Sequence, residues 1–339
     1  MQRNNSVYII AEMSANHCGD LVTAKKIIAA AKNCGADAVK IQTYTADTIT
    51  IDCKRDHFKI RGGSPWDDRY LYDLYKEAYT PWEWQKDLKT YADDIGIELF
   101  SSPFDKSAVD FLETIDVPRY KIASFEAVDL PLVYYVASKG KPMIISLGIC
   151  SEEEIYDIIS TCKSAGNDDI TLLKCTSAYP AQPKDMNLRT ITDLRSKFNV
   201  AVGLSDHSMF IETAVTAVAL GATVVEKHFT LDRSLGGADA AFSLNPEEFT
   251  ETVAAIRRTE KLLGLVNYTV NPEHRRYARS LFICEDMKKG DIITEKQVRS
   301  IRPGIGCAPK YLEALLGKTI NRDVTRGTPM STEYVDELD

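Results

Sequence analysis

No stretch of this chain approaches the roughly 18 consecutive apolar residues that a membrane-spanning helix needs. Nor is there a basic excess: 41 lysines and arginines face 49 aspartates and glutamates, a formal net charge of −8. That balance excludes a general nucleic-acid or membrane-surface role, which needs a basic face, and leaves room for a local cationic pocket. The eight cysteines include no C-x-x-C pair. They are scattered, and several sit inside strand or helix patterns (Cys34, Cys162, Cys175), which suits reduced, buried thiols in a cytoplasm. Histidine is scarce, with five in 339 residues, so two that fall together carry weight. No internal repeat of roughly 20–50 residues is present beyond an alternation of strand-like and helix-like segments. The opening MQRNNSVYII runs straight into the first strand pattern, so no signal peptide is visible.

That alternation is the main positive signal. Eight short apolar runs each end in polar or charged residues: VYIIAEMS (7–14), AVKIQT (38–43), IELFSSP (97–103), RYKIASFE (119–126), PMIISLG (142–148), ITLLKCTSAYP (170–180), VAVGLSDHS (200–208) and VVEKHF (224–229). An apolar run bounded by turn residues reads as a buried parallel strand. Eight strand–helix units in series read as an α/β fold, a (β/α)8 TIM barrel. Helices are predicted over 21–33, 151–165, 211–220 and 246–263. Their signals are a stop near Gly35, a Ser151–Glu154 capping box, a stop at Gly221, and the start Asn245-Pro246-Glu247. A barrel takes roughly 250 residues, so it is assigned to 1–264. Residues 265–280 read as a polar linker and 281–339 as a small β-rich domain, with turns at 289–291 and 326–328. The longest irregular insert, 44–80, follows the second strand, and its YLYDLYKEAY reads as partly helical. A long loop at the catalytic face of a barrel is usually a substrate lid or wall.

Such barrels carry their chemistry at the C-terminal strand ends. Ser205-Asp206-His207 ends strand seven and Glu226-Lys227-His228 ends strand eight. Alternation sets Ser205 with His207 and Glu226 with His228. Two neutral imidazoles on adjacent strand ends, with open positions, suit a divalent metal that also takes water or a substrate oxygen; the alternative is that each histidine only bonds a backbone group or caps a helix. Lys40 and Lys121 fall within strands two and four, where an ammonium is expensive without an anion. With Ser102, Ser124 and Ser146 at neighbouring strand ends they describe a phosphate or phosphate-plus-carboxylate site. The alternative is an internal pair with Glu12 or Glu226. Glu12 and Glu126 are candidate acid/base or sugar-hydroxyl groups, or salt-bridge partners of those lysines. His17, in the turn after strand one, is either a pocket-wall residue or a turn hydrogen-bonder. Gly236-Gly237-Ala238-Asp239 is either a close backbone approach to a ligand, with Asp239 binding a hydroxyl, or a flexible loop. Arg302-Pro303-Gly304 is a rigid turn that presents a guanidinium, either for binding or only to solvent.

The segments IIAEMSANHCGD, VKIQTYTADT, LFSSPFD, YKIASFE, LLKCTSAYP, GLSDHS and VEKHFTLD, with SIRPG in the tail, together resemble the sialic acid synthase family over nearly the whole chain. The resemblance implies a TIM barrel followed by an antifreeze-like (SAF) domain. It also implies a domain-swapped homodimer in which each small domain covers the partner's barrel. The implied reaction condenses phosphoenolpyruvate with an acetamido sugar to give a nine-carbon 2-keto acid and phosphate, with a divalent metal, often manganese. Carried over by motif, His207 and His228 would hold the metal. Lys40, Ser102, Lys121, Ser124, Ser146 and Ser205 would hold phosphoenolpyruvate. Glu12, Gln42, Tyr179 and Asp239 would face the sugar, and Arg302 would reach an N-acetyl group across the dimer. Glu12 or Glu126 would orient the attacking water. Ser177 departs from the neuraminic acid branch, which carries Asn there. QTYTADTIT and LDRSLGGADAAFSL are more similar to the pseudaminic acid branch, which implies 2,4-diacetamido-2,4,6-trideoxy-L-altrose as the sugar. The neuraminate and legionaminate branches are the alternatives. A metal-dependent aldolase or sugar isomerase on the same barrel would leave the lysine–serine ring unexplained, and a carbohydrate- or ice-binding protein would leave the polar strand ends without purpose.

Overall fold

In the computed structural model, which describes residues 6–336, the eight apolar runs are parallel strands. They are β1 (Tyr8–Glu12), β2 (Ala38–Thr43), β3 (Glu98–Pro103), β4 (Tyr120–Ile122), β5 (Met143–Ser146), β6 (Ile170–Cys175), β7 (Ala201–Asp206) and β8 (Val224–His228). Each strand pairs with the next, and β8 returns to pair with β1, so the sheet closes into a barrel. The strands are buried on both faces because helices wrap the outside, which is why their sequences are apolar runs rather than alternations. Local chemistry sets the helix ends. Asp20 accepts from the backbone N–H of Val22 and Thr23 at the start of Leu21–Asn33. Reciprocal capping boxes open Glu152–Ser164 (Ser151 with Glu154) and Pro246–Leu263 (Asn245 with Glu248). The predicted helix at 211–220 is Ile211–Ala219. No helix among the described residues is long and apolar enough to cross a membrane.

Seven of the eight strands, all but β2, are shorter than the apolar runs that predicted them, and at three of them the difference moves site residues into loops. β4 stops at Ile122, β6 at Cys175 and β7 at Asp206, so Ser124, Glu126, Ser177, Tyr179 and His207 lie in the loops beyond them. The apolar content runs on past each strand because these loops fold over the barrel mouth and are themselves partly buried. Period and composition do not separate such a loop from the strand it continues.

Alternation along β7 and β8 sends charge in both directions. Inward, Ser205 Oγ donates to Glu226 Oε1 at 3.1 Å. Outward, Lys227 Nζ lies 2.8 Å from Asp206 Oδ2 and donates to the Ser208 carbonyl at 2.7 Å, with both side chains buried. At the N-terminal ends of the strands, Tyr8 donates its hydroxyl to Glu98, and the Arg119 guanidinium pairs with Glu98 while lying 4.6 Å over the Tyr8 ring. Gly203 of β7 pairs in register with Val224 of β8. A Cβ there would collide with the Val224 carbonyl oxygen and come within 2.6 Å of Leu173 Cδ2.

The insert contributes a short helix (Ala46–Ile49), an antiparallel bridge between Lys59 and Tyr70, and the helix Leu71–Ala78, the last within the segment read as partly helical. The chain divides into two compact units, residues 1–264 and 265–339. In the second unit β9 (Ser280–Ile283) and β10 (Val298–Ile301) pair antiparallel, and Leu281, Ile283, Met287, Val298, Leu315 and Ile320 belong to one apolar cluster. The turns read at 289–291 and 326–328 carry Gly290 and Gly327 at φ +98° and +90°, a left-handed conformation that glycine adopts at no steric cost.

The Gly203 contact yields a direct test. The obstructing atom is backbone and cannot rotate away, so Gly203→Ala should destabilise the barrel by about 2–3 kcal/mol. Urea unfolding monitored by circular dichroism measures it, and an unchanged midpoint would mean that the two strands can separate without cost.

Candidate active site

The C-terminal strand ends surround a cavity of about 580 Å³. Its floor is a buried charge cluster. Lys40 Nζ lies 2.8 Å from Glu12 Oε2 and 3.8 Å from Glu226 Oε2, and Lys121 Nζ lies 3.6 Å from Glu226 Oε1. All four groups are at least 95% buried. Gln42 Nε2 donates to Glu12 at 3.1 Å, and Lys40 donates to Ser102 Oγ at 3.2 Å. The internal lysine–glutamate pairing left open by the sequence is therefore present, within a ring that also carries Ser124, Ser146 and Ser205. Ser146 Oγ is buried with no hydrogen-bond partner. Ser102 does not line the cavity but sits behind Lys40 as its acceptor.

Burial and charge pull these groups in different directions. Burial lifts the Glu12 carboxyl above its ordinary range in spite of Lys40. Burial also opposes the Lys40 ammonium, but Glu12 and Glu226 outweigh it and hold Lys40 above its usual value. Lys121, with weaker compensation, is pushed down by burial. Glu226 is held below the usual range because the two lysines overcome its burial. Glu126 stands apart: burial raises it from 4.5 to about 7, and its Oε2 has no partner.

The two imidazoles stand at one side of this floor, ring centroids 5.3 Å apart. His207 Nδ1 lies 3.0 Å from the Thr176 carbonyl, which fixes the proton on that nitrogen and leaves Nε2 free. His228 is kept unprotonated by burial and by the neighbouring cationic groups, and its Nδ1 is buried without a partner, 3.9 Å from Asp239 Oδ2. Among the described residues no three His, Cys, Asp or Glu side chains form a metal-holding group by themselves. A neutral imidazole with an unused nitrogen beside a second one still fits a divalent ion whose remaining positions are filled by water or substrate oxygen.

The loops complete the walls. Asp239 accepts from the Ser14 hydroxyl and the Ala15 N–H. Gly237, at φ +105°, leaves its loop against the Ala15 carbonyl, where a Cβ would sit 3.3 Å away. That glycine serves a loop–loop approach. Tyr179 packs its ring 4.4 Å from His207. His17 does not line the cavity; it is buried, accepts from the Gly19 N–H at 3.1 Å and meets Thr80 Oγ1 at 3.2 Å. Arg302 lies on an exposed turn of the second unit. Among the lining residues missed at the sequence level are the aromatic Trp66 and Tyr75 from the insert and Phe242 after β8. The density of tyrosine and tryptophan in 44–80 was the available signal, but the sequence did not single out positions.

A protein-family model described as the NeuB family matches residues 27–268. The chain belongs to the NeuB family. A second match, to the SAF domain, covers 278–333. Among individual relatives, the pseudaminic acid synthase of Campylobacter jejuni is 48% identical over 96% of this chain and 95% of its own length. That of Helicobacter pylori is 43% identical over 97% of each. The crystal structure of an N-acetylneuraminic acid synthetase from Leptospira borgpetersenii, 33% identical, superposes with a TM-score of 0.72 over 80% of this chain and 90% of that one. The NeuB-family chain is thus an enzyme that joins a TIM barrel to a SAF domain, and it matches pseudaminic acid synthases over nearly their full length.

The Glu126 environment predicts a pH dependence of stability. Its folded value lies above the ordinary 4.5, so the folded chain keeps a proton that the unfolded chain releases between about pH 4.5 and 7. The Glu126 contribution to stability therefore falls as pH rises through that window. Glu126→Gln should match wild type at pH 4 and exceed it at pH 8 by on the order of 2–3 kcal/mol. Urea midpoints at the two pH values check this, and equal differences at both would mean a solvated carboxyl.

Proposed function

We propose that this chain catalyses the pseudaminic acid synthase reaction. Phosphoenolpyruvate, 2,4-diacetamido-2,4,6-trideoxy-L-altrose and water become pseudaminic acid and phosphate. The observation that carries the reading is the coincidence of two buried ammoniums and two imidazoles at one barrel mouth, in a chain 48% identical throughout to a pseudaminic acid synthase. Its eight unpaired thiols suit a reducing cytoplasm.

Lys40 and Lys121 supply charge for the phosphate and carboxylate, and Ser124, Ser146 and Ser205 supply hydroxyl donors around them. Ser102 acts through Lys40 by holding its ammonium. A divalent ion held by His207 and His228, with manganese as the ion to load, would supply Lewis acidity toward the sugar aldehyde oxygen. Gln42, Tyr179 and Asp239 face the sugar. In the condensation the enol carbon of phosphoenolpyruvate forms a bond to the aldehyde carbon, and the aldehyde oxygen takes up a proton. The resulting oxocarbenium at C2 adds water, which gives up its proton to Glu12 or Glu126, both poised above the ordinary carboxyl range. Phosphate then leaves by cleavage of the carbon–oxygen bond as the C2 hydroxyl gives up its proton to become the 2-keto group, and that proton balances the one the aldehyde oxygen took from solvent. Buried, prearranged cations stabilise the charge on the departing phosphate without reorganisation.

In oxygen-18 water with both substrates, the phosphate released should stay unlabelled and the organic product should have the mass of pseudaminic acid with oxygen-18 taken up from the water at C2. Labelled phosphate would mean phosphorus–oxygen cleavage and would overturn the mechanism.

The same reading extends to a C2 homodimer in which Arg302 of one chain serves the other chain's barrel, so that each site is composite. Arg302→Ala and Lys121→Ala should each leave almost no activity. In mixed dimers one site carries both defects and the other carries neither. Co-refolding equal amounts should restore up to about a quarter of wild-type activity under random pairing. Mixed dimers that form and restore nothing would place Arg302 outside the partner's site.

A further inference from the structure

From the outer half of the cavity we infer that Trp66 is a specificity-determining residue, the apolar stop that selects a methyl group at C6 of the sugar. The inference rests on the reaction proposed above and goes beyond it. The cavity has two chemically distinct ends. The floor holds Lys40, Lys121 and the two imidazoles, and the aldehyde carbon must lie there to meet the enol carbon. An open-chain hexose then runs away from the floor, and C6 is its most distant carbon, five bonds from the reacting one. The wall available at that distance comes from the insert, where Ile60, Trp66, Leu71 and Leu74 line the cavity; the polar lining residues beside them are engaged elsewhere, Arg61 with Asp56 at 3.3 Å and the Ser64 hydroxyl donating to Asp67 at 2.7 Å.

Trp66 is the fixed member of that wall. Its Nε1–H donates to the Ala238 carbonyl at 2.8 Å, which ties the insert to the loop after β8. Its ring packs 5.3 Å from Tyr179 and 6.0 Å from Phe242, and those rings in turn lie 4.4 Å from His207 and 4.9 Å from His228. One aromatic column therefore connects the insert to the imidazoles. The turn that carries Trp66 is held by Asp67, whose carboxylate accepts from the N–H groups of Gly62, Gly63 and Ser64. With its only N–H committed to Ala238, the indole offers a sugar an apolar face and no hydrogen bond. A methyl at C6 fits such a face, whereas a hydroxymethyl loses a water partner and gains none.

The test compares 2,4-diacetamido-2,4,6-trideoxy-L-altrose with its 6-hydroxy counterpart, which differs by one oxygen. An apolar wall discriminates against an added hydroxyl by roughly 10- to 100-fold in kcat/KM, and wild type should fall in that range. In Trp66→Gln the ratio should drop below about threefold, with the KM for phosphoenolpyruvate unchanged, because the floor is untouched. Trp66→Phe should keep most of the discrimination and Trp66→Tyr, with a hydroxyl at the wall, should lose several-fold relative to Phe. That pair decides the matter if the Gln variant does not fold. A wild-type ratio near one, or ratios equal across wild type, Phe and Tyr, overturns the inference and leaves the reaction standing. A wild-type protein that turns over neither sugar overturns the reaction and the inference together.

Discussion

Two ammonium groups are buried at the centre of this barrel, and the rest of the structure answers to them. A lysine taken out of water costs several kcal/mol unless an anion replaces the lost solvation. Here Glu12 and Glu226 replace it, from β1 and β8, while Lys40 and Lys121 come from β2 and β4. The four charges are therefore assembled only when the sheet closes through the β1–β8 seam. The same neutralisation holds Glu226 below its usual range and lifts Lys40 above its own, while burial still wins at the other two, raising Glu12 and lowering Lys121.

Above the cluster, the site is built in tiers of decreasing rigidity. The floor comes from strands, whose positions are fixed by backbone pairing. The next tier comes from strand-end loops. There His207 is fixed by the Thr176 carbonyl and Asp239 by the turn after β1. The outermost tier is the insert, held by side-chain contacts. Charged chemistry thus rests on the stiffest elements and apolar selection on the most replaceable ones, an arrangement through which one barrel can accept different sugars by changing its outer loops.

The eight strands were legible because burial on both faces makes each an uninterrupted apolar run, and the helices because Asn245-Pro246 and Ser151–Glu154 are local signals with local outcomes. Lys40 and Lys121 were legible for the opposite reason, as charges where the pattern demands apolar residues. What escaped was whatever depends on meeting a distant segment. His207, Ser124 and Tyr179 read as strand residues because a buried loop and a strand share composition. Ser102 read as a cavity hydroxyl although it faces the back of Lys40. Trp66 was hidden because its partners, Ala238, Tyr179 and Phe242, lie more than a hundred residues away in a segment without periodicity.

The outward pair of Asp206 and Lys227 has a role in assembly that the chemistry does not need. β7 and β8 carry polar residues on both faces, so burial of apolar surface alone specifies their register weakly. A slip of one residue in β8 would turn Lys227 into the barrel and leave Glu226 among the outer helices, while Asp206 on β7 would lose its counter-ion. Two charges would be stranded at once in low dielectric. The ion pair on the reverse face therefore acts as a proofreading key for the sheet. It lets the barrel shut only in the alignment that sets Ser205 and Glu226 side by side.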